Sequence, residues 1–294
     1  CTGQCPIKVS VPTFRSQFLY GYYSRYSRPL KDWLVGTLEY IVPIAAQVPW
    51  LYNGVIDSAF GRALFKRIGM VDSPQLSGQD PHRAIADQGF QVTDVGRLQA
   101  MQHDDPERFA KQVVVVQDAF TSYFETQLVL DVFVVLKQLG FEPSLMPYHP
   151  NGKPLHVHGF LPWFRRVAKK HVELLEVVDR LEVPLVGVDP SMTLTYRSEY
   201  LEAGLDVPRV RLIQEFLAER LSTLDLQTVL PVRQYRLFAH CTEATNANAS
   251  LASWQALFAM AGQTVLIESV GCCGMAGTFG HESRHVQTSK TIYT

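Results

Sequence analysis

Apolar and polar positions alternate at helical spacing through residues 1–70, and the runs are punctuated by Pro12, Pro29, Pro43 and Pro49, so the pattern predicts a set of helices separated by those prolines. A polar, proline- and glycine-containing stretch from Asp72 to Asp94 follows and predicts a connection. The pattern then changes. Gln112 to Gln117 encloses four successive valines, Val113 to Val116, which predicts a buried strand. A long apolar segment from Tyr123 to Leu139, closed by Gly140, predicts a helix. Next come a strand at Pro143 to Met146, a loop through Asn151-Gly152-Lys153-Pro154, an amphipathic helix from Pro162 to Leu181, and a strand at Pro184 to Val188. The cycle resumes with a helix over Pro208 to Ser222, a strand at Gln234 to Ala239, a helix at Leu251 to Met260 ended by Gly262, and a strand at Thr264 to Glu268 before a glycine-rich loop. Strands alternating with helices imply α/β architecture with parallel strands and flanking helices.

Two of these strand–helix–strand stretches, Gln112 to Met146 and Gln234 to Glu268, repeat each other. Matching Val114-Val115-Val116-Gln117-Asp118 to Leu237-Phe238-Ala239-His240-Cys241 sets Asp118 opposite Cys241. After a one-residue gap, Pro150-Asn151-Gly152 falls opposite Cys272-Cys273-Gly274. The expected organisation is a helical segment plus connection at 1–94, a first α/β unit at 95–230 that lacks cysteines, and a second unit at 231–294 that has them.

The chain has 294 residues, 47% of them hydrophobic, enough for one large or two ordinary domains. Its formal net charge of -1 supplies no field to draw it onto nucleic acid or an anionic membrane, and no basic stripe with interleaved aromatics is present. No run approaches the roughly 18 uncharged apolar residues of a spanning helix. The stretch from Tyr40 to Phe65, with Ile41, Val42, Trp50, Leu51 and Phe60, predicts ordinary core helices, the alternative being a peripheral membrane contact or an interface with another domain. Because the first residue is Cys and the last, Thr294, stands in a continuing segment, the chain is expected to be a piece of a longer protein. Five cysteines, an odd number, point to a reducing compartment, by default the cytoplasm, and to cysteine used as ligand or nucleophile. Dinucleotide, P-loop, nucleophile-elbow and zinc-protease motifs are absent.

Cys241 follows one strand of the second unit and Cys272-Cys273 follows the next. In a parallel sheet both arrive at the carboxyl-end edge, where ligands of open α/β sheets bind. Thiolates select iron–sulfur clusters, zinc or copper(I). Gly271, Gly274 and Gly277 let backbone N–H groups approach sulfur, and such hydrogen bonds tune a cluster. The competing readings are buried small apolar residues, a strained bond between neighbours, or reversible thiol chemistry at the Cys272-Cys273 pair. His240, His281 and His285 lie close in sequence as further ligands or proton relays. In the first unit, Asp118, His149, Asn151, His156 and His158 are the polar residues that would offer a fourth ligand, or would simply hold a loop together. At the start, Cys1-Thr2-Gly3-Gln4-Cys5-Pro6 is the tail of the C-x2-C-x2-C-x3-C-P run of ferredoxin-type clusters.

With Cys241, the loop Gly271-Cys272-Cys273-Gly274-Met275-Ala276-Gly277 resembles the cysteine-rich CCG family, found in heterodisulfide reductase and in the iron–sulfur component of anaerobic glycerol-3-phosphate dehydrogenase. Adding Cys1 to Pro6 and Val11-Pro12-Thr13-Phe14-Arg15-Ser16, most of the chain is similar to the C-terminal part of bacterial FAD-linked D-2-hydroxyglutarate dehydrogenases, relatives of FAD-linked D-lactate dehydrogenases. The resemblance implies two CCG-type units after a ferredoxin-type motif. Metal ligands would be Cys1, Cys5, Cys241, Cys272 and Cys273, and the cofactor a 4Fe-4S cluster, with zinc as the alternative at the CCG loop. It also implies FAD in an upstream domain of the same polypeptide, and a quinone or protein carrier as electron acceptor. The chain departs from the pattern in its first unit, where Asp118 and Pro150-Asn151 stand in the cysteine positions. A structural zinc-binding or metal-free docking module is the competing reading.

Overall fold

The computed structural model describes residues 10–224 and 231–293. A helical segment comes first: α1 (Val11–Tyr23), α2 (Leu30–Gly36), α3 (Leu38–Ala45), α4 (Pro49–Asp57) and α5 (Ala59–Ile68). Prolines mark these helices less uniformly than expected. Pro12 and Pro49 occupy first-turn positions, where a missing N–H costs nothing, whereas Pro43 lies inside α3 and has no N–H for the Glu39 carbonyl, which accepts from the Tyr148 hydroxyl instead.

The stretch from Asp72 to Asp94, expected as a connection, holds a helix, α6 (Pro81–Asp87), and a strand, β1 (Gln91–Val92). Asp80 caps α6 by accepting from the Arg83 N–H, and Ile85 is fully buried. After α7 (Val95–Asp104) and the short α8 (Pro106–Phe109) come β2 (Gln112–Val115), α9 (Ala119–Tyr123), α10 (Thr126–Gln138) and β3 (Glu142–Leu145). The helix predicted from Tyr123 to Leu139 begins instead at Thr126, and Tyr123 ends the separate short helix α9, which Asp118 caps. Next are α11 (Lys153–Val157), α12 (Leu161–Asp179), β4 (Leu185–Gly187), α13 (Pro190–Thr195), α14 (Glu199–Glu202), β5 (Val210–Leu212) and α15 (Ile213–Ala218). The helix predicted over Pro208 to Ser222 gives way at its start to β5, because Val210 and Leu212 gain ladder hydrogen bonds to β4 and burial that a helix would not provide.

These strands form one all-parallel sheet in the order β1-β3-β2-β4-β5. Helices cover both faces, and the valine run divides between them with the period of two that a strand imposes. Val114 and Val116 pack with Phe164, Ala168 and Leu175 of α12, while Val113 and Val115 pack with Leu130, Phe133 and Leu136 of α10.

The second unit contains β6 (Gln234–Leu237), α16 (Cys241–Asn246), α17 (Ala249–Met260), β7 (Thr264–Ile267) and α18 (Val286–Tyr293). β6 and β7 form a separate two-stranded parallel sheet. The repeat expected from the sequence is present in its register: Gln112 pairs with Glu142 as Gln234 pairs with Thr264, and Val115 with Leu145 as Leu237 with Ile267. Gly140 and Gly262 follow the equivalent helices, and Gly152 and Gly274 the equivalent second strands, all four at positive φ. This register needs no gap, so Asp118 stands opposite His240, each capping the next helix, and not opposite Cys241.

The second unit docks through α17, whose Trp254 and Leu257 pack against the α10 face of the first sheet. Glu243 of α16 is buried at this junction and accepts hydrogen bonds from Gln214 Nε2 at 2.6 Å, Ser250 Oγ at 2.7 Å and Trp254 Nε1 at 3.3 Å. The helical segment is less buried than the core helices expected for residues 40–65. Ile44, Trp50 and Phe60 are 67, 73 and 73% exposed, and only Val42 and Ile56 among the apolar residues of that stretch are buried. No helix among the described residues is long and apolar enough to cross a membrane.

Phe133 has no exposed surface and meets Phe90 edge-on at 5.1 Å. Phe133→Ala is expected to cost about 3–5 kcal/mol of stability, read as a lowered denaturant midpoint with an unchanged slope.

Candidate functional site

Parallel pairing sends the chain out of β6 and β7 at one edge, so Cys241, four residues beyond β6, and Cys272-Cys273, just beyond β7, stand at the same end of the pair. All three are free thiols on exposed residues. His240 precedes Cys241 and is spent as a cap, its Nδ1 accepting the Thr242 N–H at 3.2 Å, which leaves Cys241 as the first residue of α16. After β7, Gly271 has nothing within contact distance of a Cβ, while Gly274 is buried at φ 75° beneath Ser289 of α18. Its N–H donates to Cys272 Sγ at 3.4 Å. Gly277 follows at φ 68°, after Ala276 at φ 37°, an uncommon conformation for a residue with a side chain. The loop therefore turns sharply at Gly274 and Gly277 and directs one backbone donor, the Gly274 N–H, at sulfur, while Gly271 is not at positive φ.

His281 and His285 are committed elsewhere. His281 Nδ1 meets Asp72 at 2.5 Å, and His285 stacks on Phe279 with ring centres 4.1 Å apart. Desolvation and the neighbouring Arg284 hold the His285 imidazole below its ordinary pKa. Among the described residues no three His, Cys, Asp or Glu side chains are gathered tightly enough to hold a metal ion. The donor set is of the kind that a cluster or zinc takes, and the edge is shared, but the three thiols are not assembled into a cage. Cys1 and Cys5 lie outside the described residues.

At the corresponding edge of the first unit most of the polar residues are buried, some bonded within the loops and others, such as Asn151 Oδ1 and His156 Nδ1, without a hydrogen-bond partner among the described residues. Asp118 accepts from Phe120 N at 2.8 Å, Thr121 N at 2.9 Å and Thr121 Oγ1 at 2.6 Å. Burial, with Asp189 nearby, pushes its carboxyl up to about 6 despite those donors. Asn151 donates through Nδ2 to Met192 O at 3.2 Å, and its own carbonyl accepts from Tyr200 Oη at 2.7 Å. His149 lies against His171 at 5.1 Å, and burial drives His171 down to about 3, so it is neutral. His156 reaches Ser16 of α1, and His158 Nδ1 stands 3.5 Å from Asp32 of α2. His156, His158 and the Asn151 N–H, which bonds Glu39, are the ones that tie the helical segment to the first unit.

Sequence reasoning missed Glu39. Its carboxylate, 1% exposed, accepts the N–H groups of Asn151 at 2.8 Å and Gly152 at 2.7 Å. The signal was a single acid in the apolar helix Leu38–Ala45, three residues from Val42 and so on the buried face. Lys31 extends the same segment to the second unit by pairing with Glu282, and the Ser283 N–H donates to Gly69 O at 2.9 Å.

Over its whole length the chain is 44% identical to a D-2-hydroxyglutarate dehydrogenase of Pseudomonas putida, 42% to that of Escherichia coli (strain K12) and 38% to that of Haemophilus influenzae. In each case it spans 29% of the relative's length, matching the C-terminal part. Over 63% of the chain it is 27% identical to one component of the anaerobic glycerol-3-phosphate dehydrogenase of Escherichia coli, covering 48% of that protein. No family model matches the chain. No solved structure matches it either.

Gly274→Ala would set a Cβ 2.4 Å from the Ser289 carbonyl oxygen at a strained φ, whereas Gly271→Ala meets nothing. Gly274→Ala is expected to cost about 1–3 kcal/mol and to raise the alkylation rate of Cys272, with Gly271→Ala silent in both measurements.

Proposed function

We propose that this chain is the electron-transfer part of an oxidoreductase of the D-2-hydroxyglutarate dehydrogenase kind. The observation that carries this reading is the match of the whole chain to four such dehydrogenases, in a protein that brings three free thiols to one edge of a parallel strand pair. In this reading Cys241, Cys272 and Cys273 hold an iron–sulfur group in a CCG-type unit. Cys1 and Cys5 belong to a ferredoxin-type site completed by cysteines elsewhere in the longer polypeptide. The group, when bound, supplies single-electron transfer between FAD, carried in another domain of the enzyme, and a quinone or protein acceptor.

What this chain contributes is placement and electrostatics. The Gly274 N–H already points at Cys272 Sγ, and a donor at a thiolate raises the affinity for an added electron. The exposed position of the thiols suits electron exchange with a partner surface. The similarity to a component of a second dehydrogenase, one that acts on glycerol 3-phosphate, supports the relay role.

A second reading is a zinc-binding or metal-free docking module of the same oxidoreductase, since three exposed thiols at one strand edge offer zinc the same donors.

Metal and acid-labile sulfide analysis of anaerobically purified protein separates the two, with a Cys272→Ser/Cys273→Ser variant alongside. Iron and sulfide that fall in the variant are expected; zinc, or equal metal content in both proteins, would give the site to the docking reading.

A further inference from the structure

The two units present the N–H of the same turn glycine to different acceptors. In the second unit the loop Cys272-Cys273-Gly274 turns back at a positive-φ glycine and gives the Gly274 N–H to Cys272 Sγ. In the first unit the equivalent loop, Pro150-Asn151-Gly152, turns at Gly152 with φ 84°, and its Asn151 and Gly152 N–H groups both end on the Glu39 carboxylate. That carboxylate comes from a helix 112 residues earlier in the chain than Asn151. The Tyr148 hydroxyl, from the same loop, donates to the backbone carbonyl of Glu39 at 2.7 Å.

We propose that Glu39 is the resident acceptor of the first unit's strand-end site, standing where the second unit has a thiol. We infer with it that Glu39 fastens the helical segment to the sheet through a clasp whose strength follows the protonation of its carboxyl group. In the first unit Pro150 and Asn151 occupy the positions of Cys272 and Cys273, and the backbone donors there go to an internal carboxylate. The clasp reaches the second unit as well, because the segment it holds carries Lys31 and Gly69, which bind Glu282 and Ser283 beyond the thiol loop. It does not depend on the metal content of that loop.

The groups facing Glu39 explain its sensitivity to protons. Asp118 faces it from the loop after β2, Tyr148 from the loop after β3, Tyr196 from the end of α13, Tyr200 from α14, and Tyr40 from α3 itself; Asp189 in turn faces Asp118. None of these carries positive charge. Two N–H donors are the compensation for a buried carboxylate, and burial, aided by Asp118, pushes the Glu39 carboxyl up to about 7. A raised carboxyl pKa means that folding takes up a proton. The contribution of Glu39 is fully present below about pH 4.5, the ordinary glutamate value, and is lost as pH rises through about 7.

The test compares unfolding of the wild-type chain with Glu39→Gln between pH 4.5 and 8. The buried His171 and His156, whose imidazoles are pushed below their ordinary pKa by desolvation, give stability the opposite slope with pH, so the quantity read is the difference between the two proteins. An amide offers one acceptor and turns its nitrogen on the other N–H, so Glu39→Gln is expected to be the less stable at low pH. Its disadvantage shrinks by roughly two orders of magnitude in the folding constant across the window. In Glu39→Ala, hydrogen exchange is expected to lose protection at Asn151 and Gly152 while Val114 keeps it. A wild-type-minus-variant difference that does not change with pH, or unchanged protection at Asn151 and Gly152, would overturn the proposal. Should both variants fail to fold, the carboxyl carbon of Glu39 titrated by NMR in the wild-type protein decides. A midpoint near 7 supports the clasp, and one in the ordinary glutamate range sinks it.

Discussion

Every described strand of this protein runs parallel to its sheet neighbour, and a parallel strand must release its chain at the same edge as the next. That constraint gathers the chemistry of the molecule at strand ends. It delivers Cys241 and Cys272-Cys273 to one side of β6 and β7, and it delivers Asp118, His149, Asn151 and Asp189 to one side of the first sheet. Nothing local in those loops would bring them together, since they are separated by whole helices. The helices that make the crossovers are the reason the edge exists.

The same edge is furnished differently in the two units, and burial accounts for much of the contrast. The first sheet is covered on both faces, and its strand ends are roofed by the helical segment, so any polar group there must be satisfied within the protein. Asp118 and Glu39 meet that demand by accepting backbone N–H groups, and the backbone carbonyls of Asn151 and Glu39 accept tyrosine hydroxyls, while Asn151 Oδ1 is left without a partner. The second sheet has two strands and one covering helix, and Tyr235, Phe238, Leu266 and Val270 remain exposed around it. Its strand-end thiols face outward, where solvent or a partner can reach them. The strand ends of one unit are thereby closed over and those of the other left open.

Much of the architecture was legible in local pattern. The valine run, the helix closures at Gly140 and Gly262, and the two strand–helix–strand repeats were visible because periodicity and glycine placement act over a few residues. The glycines around the thiols were legible for the same reason: a sharp turn needs positive φ wherever it occurs. The elements that were misread are those whose identity depends on a distant partner. β1 has two residues and no apolar signature, and it exists by pairing with β3. β5 looked like the start of a helix and became a strand by pairing with β4. Tyr40 to Phe65 had the apolar content of core helices, yet much of that surface lies outside the core.

What the sequence by itself determined is the alternation of strand and helix, and with it the parallel edge and the residue types standing there, because each follows from short-range backbone preference and the period of apolar positions. What only the tertiary structure decided is which acceptor each edge receives. The N–H groups of Asn151 and Gly152 carry no label naming Glu39, and a lone acid in an apolar helix does not announce its partner. Their pairing arises when the helical segment folds over the sheet and excludes water, since a carboxylate removed from solvent must find donors, and the donors left by a loop without cysteines are the ones it finds.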